Sequence, residues 1–150
     1  MPCTVRRLGP DDWGILSTTA REDADFDLEE RGRPVAELSP EAARAYLTHP
    51  DVLHWVAELD GRVVGFLTCN VVHKRNGHEL LLYEIGVRAA QRKRGIGRRL
   101  LDEMFAWMSG HGLDEVWVLA DNPGAVEFYL SCGFHPGEGQ ATYLTRELAR

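Results

Sequence analysis

The sequence predicts one α/β domain built on a mixed sheet, and three local patterns carry that prediction. Leu80 to Val87 is a near-continuous apolar run of strand length, followed by a basic, glycine-punctuated turn and then a helix. Asp60-Gly61 separates two runs of β-forming residues, the signature of a hairpin closed by a type I′ turn. Asn122, Pro123 and Gly133 supply the N-cap, first helical position and C′ residue of a further helix. With 150 residues, 44% of them hydrophobic, residues 1–150 suffice for one sizeable core and are too few for two ordinary domains.

Taken in order, Thr4 to Leu8 reads as a first strand, and Gly9-Pro10-Asp11-Asp12 provides turn and capping chemistry for a helix through Trp13 and Leu16 to about Ala20. An acidic loop follows. Ser39 caps a second helix with Pro40 at its first position, and His49-Pro50 ends it. Val52 to Leu59 and Val63 to His73 form the hairpin, and Leu80 to Val87 joins that sheet. Gly97, Leu100, Leu101, Met104, Phe105 and Met108 then recur at helical spacing as one buried stripe, while Arg98, Arg99, Asp102 and Glu103 fall on the other side. Gly110-His111-Gly112 stops this helix. Val116 to Ala120 reads as a short strand, and after the Asn122 helix come terminal strands near Phe134 and at Tyr143 to Leu148.

Composition narrows the function. A formal net charge of −6 argues against a general nucleic-acid binder, which needs a basic face. The sequence carries neither a signal-peptide pattern nor an apolar run of membrane-spanning length, so a cytoplasmic protein without a membrane partner is expected. Cys3, Cys69 and Cys132 are widely spaced and read as reduced thiols, and the histidines form no ligand pair, so no metal is expected.

Charge distribution is more informative than the sum. Basic residues cluster from Arg88 to Arg99, at a turn with Gly95 and Gly97 that feeds a helix. The unpaired N–H groups and positive dipole end of such a helix favour phosphate oxygens. The segment lacks the Lys-Ser/Thr of a nucleotide-triphosphate loop and the third glycine of a dinucleotide fingerprint.

Arg92-x-x-Gly95-x-Gly97 after a strand ending at Val87 resembles motif A of the GNAT superfamily of N-acetyltransferases. The series Asn122-x-x-Ala125-x-x-x-Tyr129-x-x-x-Gly133-Phe134 is similar to motif B of the same superfamily. The predicted element order also resembles the GNAT fold, so the likeness extends along essentially the whole chain. It implies a single-domain GNAT fold whose mixed central sheet splays between its fourth and fifth strands, with about four helices. It implies acetyl-CoA as cosubstrate, its pyrophosphate held by Arg92, Lys93, Arg94, Gly95, Ile96, Gly97 and Arg98. Its pantetheine amides would meet the backbone of Ile85, Gly86 and Val87. Asn122 either contacts pantetheine or only caps its helix. By the same resemblance Tyr129 is the general acid for the leaving thiolate, and terminal strands that pair between copies imply a homodimer.

Acetyl transfer to an amine needs a deprotonated nucleophile, a stabilised oxyanion and a proton for the thiolate. Glu84 is the candidate base: a lone carboxylate in an apolar strand, where burial would raise its pKa. A backbone N–H at Val87 is the candidate oxyanion donor. The loop that helps wall the acceptor site in this superfamily carries Asp23, Asp25, Asp27, Glu29 and Glu30 here, a pattern suited to a small polycationic amine. Leu47-Thr48-His49-Pro50, Val63 to Phe66, Leu82 to Val87 and Val116 to Asn122 are similar to the aminoglycoside 3-N-acetyltransferase-like branch, which carries antibiotic resistance. The alternatives are a small metabolite amine, a protein amine, or a non-catalytic acyl-CoA sensor.

Overall fold

In the computed structural model, which describes residues 2–26, 37–139 and 141–149, five strands lie side by side in sequence order. They are β1 (Thr4–Arg7), β2 (Val52–Leu59), β3 (Arg62–Lys74), β4 (Gly77–Val87) and β5 (Val116–Trp117). The first four pair antiparallel, whereas β4 and β5 run parallel. The helices are α1 (Trp13–Arg21), α2 (Asp23–Phe26), α3 (Pro40–Thr48), α4 (Ile96–Gly110) and α5 (Pro123–Ser131). Residues 1–119 form one compact unit and residues 120–150 a second, smaller one.

In the larger unit, alternation along the strands divides the core between two faces. His54, Val56, Phe66 and Thr68 point to one face, where Val56 and Phe66 join a core with Leu16 of α1, Phe26 of α2 and Ala43 and Leu47 of α3. Leu53, Trp55, Leu67 and Cys69 point to the other face, toward α4. There Trp55 meets Trp107 edge-on, with ring centroids 6.5 Å apart, and the Cys69 thiol approaches the Met104 sulfur at 3.6 Å. Ile96, Leu100, Leu101, Met104 and Met108 are the buried residues of α4, each stabilising the packed state by about 1.5–3 kcal/mol relative to exposure.

The local chemistry explains the boundaries. Asp60 and Gly61 have φ of 52° and 75°, the paired left-handed conformations that a type I′ turn requires. Ser39 accepts a hydrogen bond from the Ala42 amide, with Pro40 next in the first turn of α3. Within the smaller unit, Asn122 accepts the Ala125 amide at 2.7 Å and so caps α5.

Four features depart from the sequence reading. The start of the acidic loop is not irregular but forms the short helix α2, held by burial of Phe26. β5 pairs only at Val116 and Trp117 and stops well before Ala120. Tyr143 to Leu148 and the stretch from Phe134 form no strand among the described residues, because strand propensity without a ladder partner leaves the backbone groups to water. On α5 the sequence puts Ala125, Val126, Tyr129 and Leu130 on one expected apolar face, yet Tyr129 alone of these is buried, and Val126 and Leu130 are exposed.

At Gly86 the backbone of β4 lies directly against the Phe66 ring and the Cβ and carbonyl of Phe26. A Cβ there would stand 2.7 Å from Phe66 Cε1 and 3.1 Å from both the Cβ and the carbonyl oxygen of Phe26. We therefore expect Gly86→Ala to destabilise the fold by about 1–3 kcal/mol, as overpacking does, read as a lower urea midpoint with an unchanged m-value.

Candidate active site

One extra residue in β4 builds the site. Leu82 pairs with Cys69 and Glu84 with Thr68, so Tyr83 is inserted without a counterpart on β3. A bulge of this kind reverses the alternation of the strand beyond it. Leu80 and Leu82 share the face of Cys69 toward α4, whereas Glu84 and Gly86 share the face of Thr68 and Phe66 toward α1, α2 and α3. Without the bulge Glu84 would lie among the leucines.

The consequence is an open cavity of about 360 Å³ on the α1 and α3 side, with Glu84 and Tyr83 in its wall. Leu16, Thr19, Leu38, Phe66 and Asn70 complete much of it, and Asp23 contributes a second carboxylate. Glu84 is exposed to this space rather than buried between two layers. The burial expected from its apolar neighbours in sequence is therefore corrected: the bulge takes the carboxylate out of the layer that those neighbours occupy.

The sequence reading missed the polar group beside it. Tyr46 of α3 hydrogen-bonds the Thr68 hydroxyl and lies 3.2 Å from His54 Nδ1. The His54 ring stacks on Phe66 and is almost wholly buried, and its Nε2 has no hydrogen-bond partner among the described residues. Burial lowers the His54 pKa to about 4, so the imidazole is neutral at pH 7. The Tyr46 hydroxyl is shifted upward, chiefly by burial, and remains protonated. Their signal in sequence was faint: polar residues at His54 and Thr68 on the phase of Val56 and Phe66 in β-forming runs.

The free edge of β4 supplies a different kind of group. β5 pairs at Leu80 and Leu81, after which the two parallel strands part company, and among the described residues no strand pairs with Leu82 to Val87 on that side. The Arg88 amide donates to Val64 O at 2.9 Å, making the flanking Val87 and Gly65 a pair that do not bond each other. The peptide N–H and C=O of Val87, and those of Ile85 two residues earlier, consequently point to the edge that β5 has left. Gly86, between them, bonds toward β3.

Beyond this edge Arg92 donates through Nε to the Val87 carbonyl at 3.3 Å and Arg94 to Gln91 at 3.2 Å. Lys93 and Gly95 both have positive φ, 65° and 79°, which curls the chain just before α4. The first i to i−4 bond of the helix is Arg99 N to Gly95 O, so the amides of Ile96, Gly97 and Arg98 precede the intrahelical ladder. Their N–H groups, with Lys93, Arg94 and Arg98 exposed around them, suit a pyrophosphate. The Ile96 side chain itself turns into the core, where it meets Gly65.

The remaining predicted residues fall in separate places. Asp25 pairs with the buried Arg88 at 3.1 Å. Asp27, Glu29 and Glu30 lie outside the described residues. Asn122 and Tyr129 belong to the smaller unit, where Asn122 is the α5 cap and the buried Tyr129 ring packs against Phe128 and Phe134. Among the described residues no three His, Cys, Asp or Glu side chains are placed to share a metal ion, and no helix is long and apolar enough to cross a membrane.

The model of the acetyltransferase (GNAT) family matches residues 18–134. An uncharacterised N-acetyltransferase of Methanocaldococcus jannaschii is 36% identical over 91 residues, which span 56% of this chain and 39% of the relative. The N-alpha-acetyltransferase RimI of Mycobacterium tuberculosis is 34% identical over 95 residues, 63% of this chain and 60% of that protein. The chain thus spans about two fifths to three fifths of the length of these curated relatives. Among solved structures, an aminoglycoside acetyltransferase from an uncultured soil metagenomic sample superposes with a TM-score of 0.77 at 23% identity, covering 98% of this chain and 97% of the other.

The buried His54 ties acid stability to this site. Its pKa is about 4 in the folded chain against 6.5 when solvated, so between those values the unfolded chain binds the extra proton. The associated stability is complete above pH 6.5 and is lost as pH falls toward 4, to a total of about 3 kcal/mol. His54→Phe should flatten that part of the profile. The check is urea unfolding of both proteins from pH 7 to pH 4; parallel profiles would refute the assignment.

Proposed function

The chain belongs to the acetyltransferase (GNAT) family, and on that premise we propose that it is an N-acetyltransferase that moves the acetyl group of acetyl-CoA directly to a primary amine. The observation that carries this reading is the reversal of β4 at Tyr83. It sets the Glu84 carboxylate in the wall of a cavity three residues before a peptide group that faces the open strand edge.

In this reading the amine approaches from the cavity, and Glu84, directly or through a water, takes its proton. The Val87 N–H stabilises the oxyanion that develops on the acetyl carbonyl. The backbone of Ile85 and Val87 pairs with the pantetheine amides, and the amides from Ile96 to Arg98 hold the pyrophosphate with Arg92, Lys93 and Arg94. Tyr129 returns a proton to the departing thiolate, a role resting on its motif position. Asn122, whose side-chain oxygen caps α5, either contacts pantetheine or serves only as that cap.

For the acceptor we propose a cationic amine. Asp23 and Glu84 place two carboxylates on the cavity wall, while Tyr83 and Phe66 give it apolar surface. An aminoglycoside is supported by the likeness to the soil aminoglycoside acetyltransferase. A protein N-terminal amine is the second reading, favoured by the relative named N-alpha-acetyltransferase. Of the described residues in the acidic segment, Asp25 is held by Arg88, and Asp23 is the one that lines the cavity.

The test is thiol release from acetyl-CoA with aminoglycosides, polyamines and peptides bearing free N-termini, with product masses determined. Turnover with one class identifies the acceptor; binding of acetyl-CoA without turnover on any class would favour a sensor. Glu84→Gln should lower kcat/KM by about 10²–10⁴-fold and leave acetyl-CoA affinity within about twofold, as removal of a general base does. Tyr129→Phe should chiefly slow thiolate departure, visible as a stronger dependence of kcat on the basicity of the leaving thiol.

A further inference from the structure

The most constrained charged side chain of the larger unit is one that the motifs do not include. Arg88 follows Val87 at the end of β4, and its side chain is only 4% exposed. Its Nε donates to the Val63 carbonyl at 2.6 Å, and its two terminal nitrogens pair with Glu22 and with Asp25, the latter at 3.1 Å. The guanidinium also lies over the Phe26 ring, 4.4 Å from the centroid. One planar group thus joins the ends of β3 and β4 to the segment from Glu22 to Phe26. A lysine would bring a compact ammonium in place of the planar fork whose separate nitrogens reach these partners together.

That segment needs the help. A four-residue helix such as α2 does not hold itself together, because nucleation costs more than so few hydrogen bonds return. Its first residue, Asp23, lines the cavity, and its last, Phe26, sits on the bare backbone of Gly86 and meets Phe66 edge-on at 5.4 Å. Both contacts depend on where the segment is anchored.

We infer that Arg88 is the positioning residue of the acceptor site: through Glu22 and Asp25 it fixes α2 against β4, with Phe26 packed on Gly86 and Phe66, and so sets the part of the cavity wall that carries Asp23. The inference rests on the acetyltransferase reading for its kinetic expression, but its structural content is independent of that reading. It places the determinant of acceptor affinity beside Val87, so that the cofactor strand and the acceptor wall share one anchor.

Because Arg88 is buried and its loss endangers folding, the decisive variants are Asp25→Asn and Glu22→Gln, on carboxylates 45% and 40% exposed, together with Arg88→Lys. Each should raise the acceptor KM by roughly tenfold with kcat and the acetyl-CoA KM changed less than about twofold, and the Glu22→Gln/Asp25→Asn pair should exceed either single change. Hydrogen exchange should quicken across residues 20–26 and stay unchanged in α4. An unaltered acceptor KM, or a fall in kcat together with both KM values rising, overturns the proposal. If the wild-type protein turns over no acceptor, the acetyltransferase reading fails, and exchange alone decides the anchor: faster exchange limited to residues 20–26 supports it, and unchanged exchange there overturns it.

Discussion

Successive side chains of a strand alternate between its two faces, and this molecule depends on β4 breaking that alternation once. The residue inserted at Tyr83 lets β4 serve the α4 core with Leu80 and Leu82 and the opposite cavity with Glu84 and Gly86. An unbroken strand would direct a carboxylate into a layer of leucine and methionine, where charge is severely penalised. The reversal costs one unpaired residue and gives the carboxylate an open cavity to face.

A second constraint acts at right angles to the first. Parallel pairing with β5 ends at Leu81 and Trp117, so among the described residues the later peptide groups of β4 meet no strand on that side. Backbone polar groups need partners, and an edge left by a departing strand is where an extended, amide-bearing ligand can supply them. The anchor at Arg88 lies at the junction of these constraints. It pairs a buried cation with two carboxylates and a carbonyl, the full complement that makes such burial tolerable.

Much of this was legible in the sequence where local chemistry decides the structure. The Asp60-Gly61 turn, the Ser39 and Asn122 caps, the stripe on α4 and the phosphate-suited turn before it all depend on neighbours a few residues apart. The bulge was not legible, because periodicity over Leu80 to Val87 reads as an unbroken apolar run and the register belongs to the partner strand. His54 escaped notice, and Arg88 was read only as the start of the basic cluster, for a related reason: their significance comes from Tyr46 and from Glu22 and Asp25, which only the folded chain brings to them. The terminal strands failed in the opposite sense, since the pattern existed but the ladder to receive it did not.

β4 therefore has three outlets: one face for the core, one for the cavity, and one edge of peptide groups. The edge offers the same N–H and C=O whatever side chains the strand carries. Residues at 66, 68 and 84 can be exchanged without altering what the edge presents, and the edge can be retained through wide drift elsewhere. Such a strand separates what must stay constant from what is free to vary. A backbone this similar to that of a protein sharing under a quarter of its residues is the expected outcome of that division.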